Sequence, residues 1–157
     1  MKLALQLITH HSSLITRRPL WQGLRSNARS MTSKPKVLLV EDNADVRRLY
    51  AIGLNQRGFE VKLAANGAEA VDRVASERPD FMLLDWLMPL MDGSEVLEKI
   101  GTAEIDIIVI SGQPAPNALP PRIRSWLTKP LTVDELVHEL MRGDESARLN
   151  SQVRQVS

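Results

Sequence analysis

The chain has 157 residues, enough for one domain with a sizeable core, and 43% hydrophobic with 25% charged residues is ordinary usage for a globular protein. It contains no cysteine, which excludes disulfides, thiolate nucleophiles and cysteine-ligated metals and fits a reducing cytosol, so a cytoplasmic location is expected. The formal charge of +1 is unevenly spread: the first 30 residues hold five basic and no acidic ones, and the mildly acidic remainder gives no sign of nucleic-acid binding.

No apolar run approaches the roughly 18 residues that span a membrane. Residues 1–33 read as a disordered basic extension or as an upstream start used in place of Met31. The composition, rich in Arg and Ser and free of acid, also matches a mitochondrial transit peptide, and Arg17-Arg18 faintly echoes a twin-arginine signal. With no paired strand or long apolar stripe to offset the entropy of ordering it, this arm is expected to be dispensable for folding.

Periodic sequence begins at Lys36. Residues 37–40 form an apolar run without polar alternation, which suits a strand buried on both faces, and it stops at Glu41-Asp42-Asn43. Asn43 can cap a helix in which Val46, Leu49, Tyr50, Gly53 and Leu54 share a face, with Gly58 ending it. Phe59, Val61 and Leu63 then alternate with Glu60 and Lys62, the pattern of an edge strand with one wet face. Asn66, followed three residues later by Glu69, opens a short helix through Ala70, Val71 and Val74, and Pro79 leads into the next strand.

That strand, 81–84, is again wholly apolar and delivers one carboxylate, Asp85, where it stops; Pro89 and Asp92-Gly93 mark a turn soon after. In open parallel sheets ligands bind beyond the carboxyl ends of the strands, so Asp85 reads as the reactive group. On this stretch alone an ordinary loop-capping Asp is an equal alternative.

A helix over 94–100 places Val96, Leu97 and Ile100 on one face, and 105–110 is a β-branched strand ending at Ser111-Gly112. The segment 113–122 carries Pro114, Pro116, Pro120 and Pro121, which no helix interior accommodates, so irregular chain is expected. A short last strand, 126–128, ends at Lys129-Pro130. Thr132 and Glu135 form a capping box for a final helix bearing Val133, Leu136, Val137, Leu140 and Met141, which Gly143 stops; 144–157 is a polar tail. Met82, Met88 and Met91 read as gap-fillers, His138 as a boundary residue, and Arg47-Arg48 as a solvated face or a partner contact.

Strand and helix alternating five times, with one helix in doubt, require a doubly wound, five-stranded parallel sheet in a domain spanning 34–143. On that sheet Glu41, Asp42, Asp85, Ser111 and Lys129 collect at one edge. Clustered carboxylates raise one another's pKa unless a cation compensates, and an oxygen-only donor set suits Mg²⁺. A lysine and a hydroxyl facing the same point supply charge and a hydrogen bond to phosphoryl oxygens. The set is what phosphoryl transfer to a carboxylate nucleophile needs, with Asp85 the acceptor.

The blocks VLLVEDN (37–43), LLDWLMPLMDG (83–93), VISG (109–112) and LTKP (127–130) resemble, in order, the signatures of the response regulator receiver domain of two-component signalling. The resemblance covers about 36–142 and implies the flavodoxin-like (βα)5 receiver fold. It implies that Asp85 accepts phosphate from a histidine kinase or phosphotransfer protein. It also implies that Asp42, Asp85 and the Leu87 carbonyl ligate Mg²⁺, with Glu41 acting through a water. Lys129 and Ser111 would contact the phosphoryl group, Ser111 moving toward it on activation, and Lys129-Pro130 would be cis.

Beyond slow self-hydrolysis such a domain is a switch rather than an enzyme, acting on an unknown downstream protein. Two departures stand out. Trp126 occupies the switch position usually held by Tyr, Phe or His, and the proline-rich segment replaces the family's fourth helix, as in some stand-alone receivers, so a monomer is expected. The alternative is a degenerate receiver acting as a phosphorylation-independent interaction module. An aspartyl phosphatase is disfavoured because Asp85 lacks a second acid two residues on.

Overall fold

The structure, a computed structural model, describes residues 33–142. The N-terminal arm up to residue 32, with the Arg17-Arg18 pair, and the chain from Gly143 onward lie outside the described residues.

Five strands form one parallel sheet: β1 (Lys36–Val40), β2 (Glu60–Ala64), β3 (Phe81–Asp85), β4 (Asp106–Ser111) and β5 (Ile123–Thr128), in the order β2-β1-β3-β4-β5. Four helices accompany them: α1 (Ala44–Gln56), α2 (Gly67–Glu77), α3 (Gly93–Lys99) and α4 (133–142). The apolar runs at β1, β3 and β4 are the three inner strands, buried on both faces as their lack of alternation requires. On one face Val37, Leu39, Leu83, Ile108 and Ile110 pack against Tyr50 and Leu54 of α1 and Leu136, Val137 and Leu140 of α4. On the other, Leu38, Val40, Met82, Leu84 and Ile107 pack against Ala70 and Val74 of α2 and Val96 of α3. Met82 and Met88 are buried there with Met91 against them, which fits their reading as gap-fillers.

The caps fall where side-chain oxygens can reach orphan amides. Asn43 Oδ1 accepts from the Asp45 and Val46 amides, and Asn66 Oδ1 from the Glu69 amide. Thr132 and Glu135 exchange both bonds of a capping box. Asp92 and Glu95 make a second capping box at α3, which the sequence reading took only as a turn.

Three local expectations change. Leu49 lies about 100° round the helix from Tyr50, beyond the edge of the buried face, and is 61% exposed. At the edge strand Phe59 is buried and Val61 packs on the core, but Leu63 is exposed. β5 begins at Ile123, three residues before the expected start, because Arg124 forms a bulge: Ile107 pairs with Ile123 and Ile108 with Ser125. Its guanidinium lies over the Phe81 ring, bonded to Asp106 and to the Glu139 carbonyl, so this charged residue is held in the strand by tertiary partners.

The segment 112–122 contains no helix, and 112–119 is exposed throughout. Both ends are tied down: the Trp126 indole donates to the Gln113 carbonyl, and the Arg122 guanidinium donates to the carbonyls of Leu97 and Ala103.

Candidate functional site

Parallel topology brings four strand ends to one edge. Glu41 follows β1, Asp85 ends β3, Ser111 ends β4 and Lys129 follows β5. The register sets Asp85 opposite Ile110 and Ser111 opposite Thr128, and the Lys129 amide donates to the Ser111 carbonyl at 2.7 Å. The Lys129-Pro130 bond is cis, and the Tyr50 hydroxyl donates to the Leu131 carbonyl, tying α1 to the chain just beyond it.

At this edge Lys129 Nζ lies 2.7 Å from Asp85 Oδ2 and 2.8 Å from Glu41 Oε2. Both carboxylates are buried while Asp42 is exposed. The other Asp85 oxygen, Oδ1, accepts from the Leu87 amide at 3.1 Å, and Glu41 Oε1 accepts from the Asn43 amide at 3.3 Å. Burial holds the Glu41 carboxyl above its usual range; the Lys129 bond pulls it back, and the nearby Asp85 charge adds to the rise. Burial also opposes the charge on Lys129, but its bonds to Asp85 and Glu41 outweigh that and hold the ammonium above its usual value. The lysine is therefore protonated at neutral pH.

Carboxylate oxygens of Glu41, Asp42 and Asp85 all lie within 4.8 Å of one another, close enough to share one ion. Three hard oxygen donors, one of them on an exposed side chain that leaves room for water, fit Mg²⁺.

The Ser111 hydroxyl oxygen accepts from the Gln113 amide at 3.0 Å. Trp126 stands in β5 and its indole donates to the Gln113 carbonyl. Its ring packs on Trp86 with centroids 5.0 Å apart and planes tilted by 55°. His138 is exposed on α4.

Sequence reasoning missed one supporting residue. Arg47, one turn into α1, donates through Nη1 to the carbonyls of Glu41 (2.6 Å) and Asp42 (3.2 Å), fixing the backbone of the acid pair. The Asn43 cap was the available signal, since it fixes where α1 starts and therefore which arginine folds back over the acids.

This strand order, with acids, a hydroxyl and a lysine at the carboxyl edge, defines the class: a flavodoxin-like receiver domain. The chain belongs to the response regulator receiver domain family, whose model matches residues 37–141. It is 34% identical over 108 residues to the response regulator MprA of Mycobacterium tuberculosis, covering 65% of this chain and 47% of MprA. The chain thus spans about half the length of the curated relatives it matches. Among solved structures it is similar to the chemotaxis response regulator CheY4 of Vibrio cholerae, with 26% identity, a TM-score of 0.60, and 70% of this chain and 98% of that one covered. The receiver domain from the hybrid histidine kinase CckA gives 30% identity, a TM-score of 0.59, and 68% and 96% coverage. Among the described residues no helix is long and apolar enough to cross a membrane.

Proposed function

We propose that this domain is a phosphoryl-accepting switch in which Asp85 takes a phosphoryl group from the phosphohistidine of a histidine kinase or phosphotransfer protein. The observation that carries the reading is the placement of the Lys129 ammonium, 2.7 Å from an Asp85 oxygen and 2.8 Å from Glu41, beside a cluster of acids that can share one ion. In the transfer a carboxylate oxygen of Asp85 forms a bond to phosphorus while the bond from phosphorus to the imidazole nitrogen breaks. The leaving nitrogen keeps the electron pair, and the imidazole departs neutral because its other ring nitrogen carries a proton; the attacking group is the Asp85 carboxylate, so no proton has to be taken from it.

Lys129 pairs with Asp85 before transfer and faces the phosphoryl oxygens after it; Ser111 supplies a hydroxyl to the same oxygens. Asp42, Asp85 and the Leu87 carbonyl would hold Mg²⁺, with Glu41 reaching it through water. When bound, the ion neutralises the acids and offsets the charge of the incoming phosphoryl group.

The test is to incubate the protein with Mg²⁺ and a small phosphodonor, acetyl phosphate, and to map the modified residue by mass spectrometry. A single phosphate on Asp85 that is lost on chelation is expected. Labelling that persists in Asp85→Asn, or that ignores chelation, overturns the assignment.

Output is proposed to run through the loop that follows Ser111. With no helix in 112–122, the face many receivers use for symmetric pairing lacks one of its elements. Light scattering with and without beryllofluoride is therefore expected to give one unchanged monomer mass, whereas a beryllofluoride-induced dimer would restore the usual pairing face.

A further inference from the structure

We infer that Trp126 is a positioning residue for Ser111, acting through the backbone of Gln113, so that the indole holds the resting state of the switch instead of swinging to report it. The inference rests on the phosphoacceptor reading above for its consequence, but its geometry stands independently.

The two peptide groups of Gln113 are held from opposite sides. Its amide donates to Ser111 Oγ at 3.0 Å, and its carbonyl accepts from Trp126 Nε1 at 3.0 Å. Ser111 is fully buried, and its own carbonyl is fixed by the Lys129 amide at 2.7 Å. Rotation about χ1 is the freedom left to its hydroxyl, and the Gln113 amide is the partner that such a rotation gives up. On the phosphoacceptor reading the hydroxyl turns toward a phosphoryl oxygen on Asp85 and in turning gives up that partner. The cost of leaving depends on whether Gln113 can follow or relax, and Trp126 is what holds Gln113 still.

Trp126 is itself immobilised. It stands in β5 opposite Val109 of β4, and its ring packs on Trp86 at 5.0 Å. Trp86 is fixed by its amide bond to the Ile110 carbonyl and by accepting from the Gly93 amide, both at 3.0 Å. A Cβ at Gly93 would collide with the Trp86 ring, so glycine there is what lets the indole lie down at the start of α3. An indole braced in this way cannot change rotamer without breaking the ring pair and its hydrogen bond together. The side chain at the switch position is therefore a fixed peg, and the element with freedom is the loop. Past Gln113 that loop is exposed up to Leu119 and is fastened again at Arg122.

The discriminating variant is Trp126→Phe, which keeps an aromatic ring against Trp86 but has no N–H to donate. Two measurements read it. In the unphosphorylated protein the Gln113 amide should exchange hydrogen faster than in wild type, while core amides of β1 and β3 stay unchanged; this needs no phosphorylation at all. With acetyl phosphate and Mg²⁺, labelling at Asp85 should be faster by about 3- to 10-fold, the range set by losing one neutral hydrogen bond that opposes the active position.

Ser111→Ala removes the group through which Trp126 acts, so in that background Trp126→Phe should change the labelling rate by less than about 2-fold. Unchanged protection at Gln113, or a rate effect that persists in full in Ser111→Ala, overturns the inference. Failure of wild type to label at Asp85 overturns the phosphoacceptor reading instead, and the exchange result then still decides whether Trp126 holds Gln113.

Discussion

Lys129→Met is expected to destabilise the metal-free protein at pH 7 by about 3 kcal/mol and to slow phosphorylation of Asp85 by about 100-fold. Glu41 and Asp85 are 2% and 4% exposed, and their charges both lean on one ammonium. Removing it leaves two buried carboxylates facing each other. The loss falls at the low end of the range for a broken buried pair because the Lys129 side chain keeps 26% of its exposure and water reaches the gap.

The pH dependence has a definite sign. Lys129 titrates above its usual 10.5 in the folded protein, so its contribution is complete below 10.5 and disappears only as pH rises through the folded value. At pH 7 the wild type therefore has all of it. Urea unfolding in EDTA measures the difference, and repeating it with Mg²⁺ should rescue the variant more than the wild type, since a cation bound to the folded state takes over the neutralisation. Equal stability of the two proteins in EDTA would show that Lys129 does not compensate the acids.

The fold and most of this edge were legible because two signals coincide. Each inner strand is an uninterrupted apolar run, and each run stops at a polar residue: Glu41, Asp85 or Ser111. Parallel pairing then does the rest, since it puts all the stops at the same end of the sheet. What could not be read depends on contacts between residues far apart in sequence. Arg124 looks like a residue outside a strand until Asp106, Phe81 and the Glu139 carbonyl are seen around it. Arg47 carries the same charge as Arg48 beside it, and only the turn of α1 separates the one that folds over the acid pair from the one left exposed. The Trp86–Trp126 pair joins the turn after β3 to β5, and those two strands are not hydrogen-bonded neighbours, so neither tryptophan announces the other. The four prolines were informative in the opposite way, because a missing donor and a fixed φ act locally, and 112–122 is non-helical as they require.

Asp42→Ala is expected to weaken Mg²⁺ binding more than Glu41→Ala does, because the two acids are committed differently before any ion arrives. Both oxygens of Glu41 already have partners, Oε2 with the Lys129 ammonium at 2.8 Å and Oε1 with the Asn43 amide at 3.3 Å. Asp42 is exposed, and it is the Asp42 main-chain carbonyl, not its carboxylate, that Arg47 holds. The exposed Asp42 carboxylate, which has no partner among the described residues, is therefore the better direct ligand. On the proposed reading Glu41 acts one layer out, where losing a supporting group costs about 10-fold in affinity, and Asp42→Ala should exceed that.

The acidity of Glu41 gives a second readout. Because burial holds Glu41 above its usual 4.5, it takes up a proton at a higher pH than an ordinary glutamate does. Metal binding needs the carboxylates deprotonated, so wild-type affinity should begin to fall on acidification at a pH above 4.5, and Glu41→Gln should flatten that part of the curve. Titration calorimetry with Mg²⁺ between neutral and mildly acidic pH reads both effects. Equal losses for Asp42→Ala and Glu41→Ala would place both acids in the same shell and remove the distinction that the Lys129 and Asn43 bonds draw between them; superimposable pH curves for wild type and Glu41→Gln would show that Glu41 does not set the pH dependence.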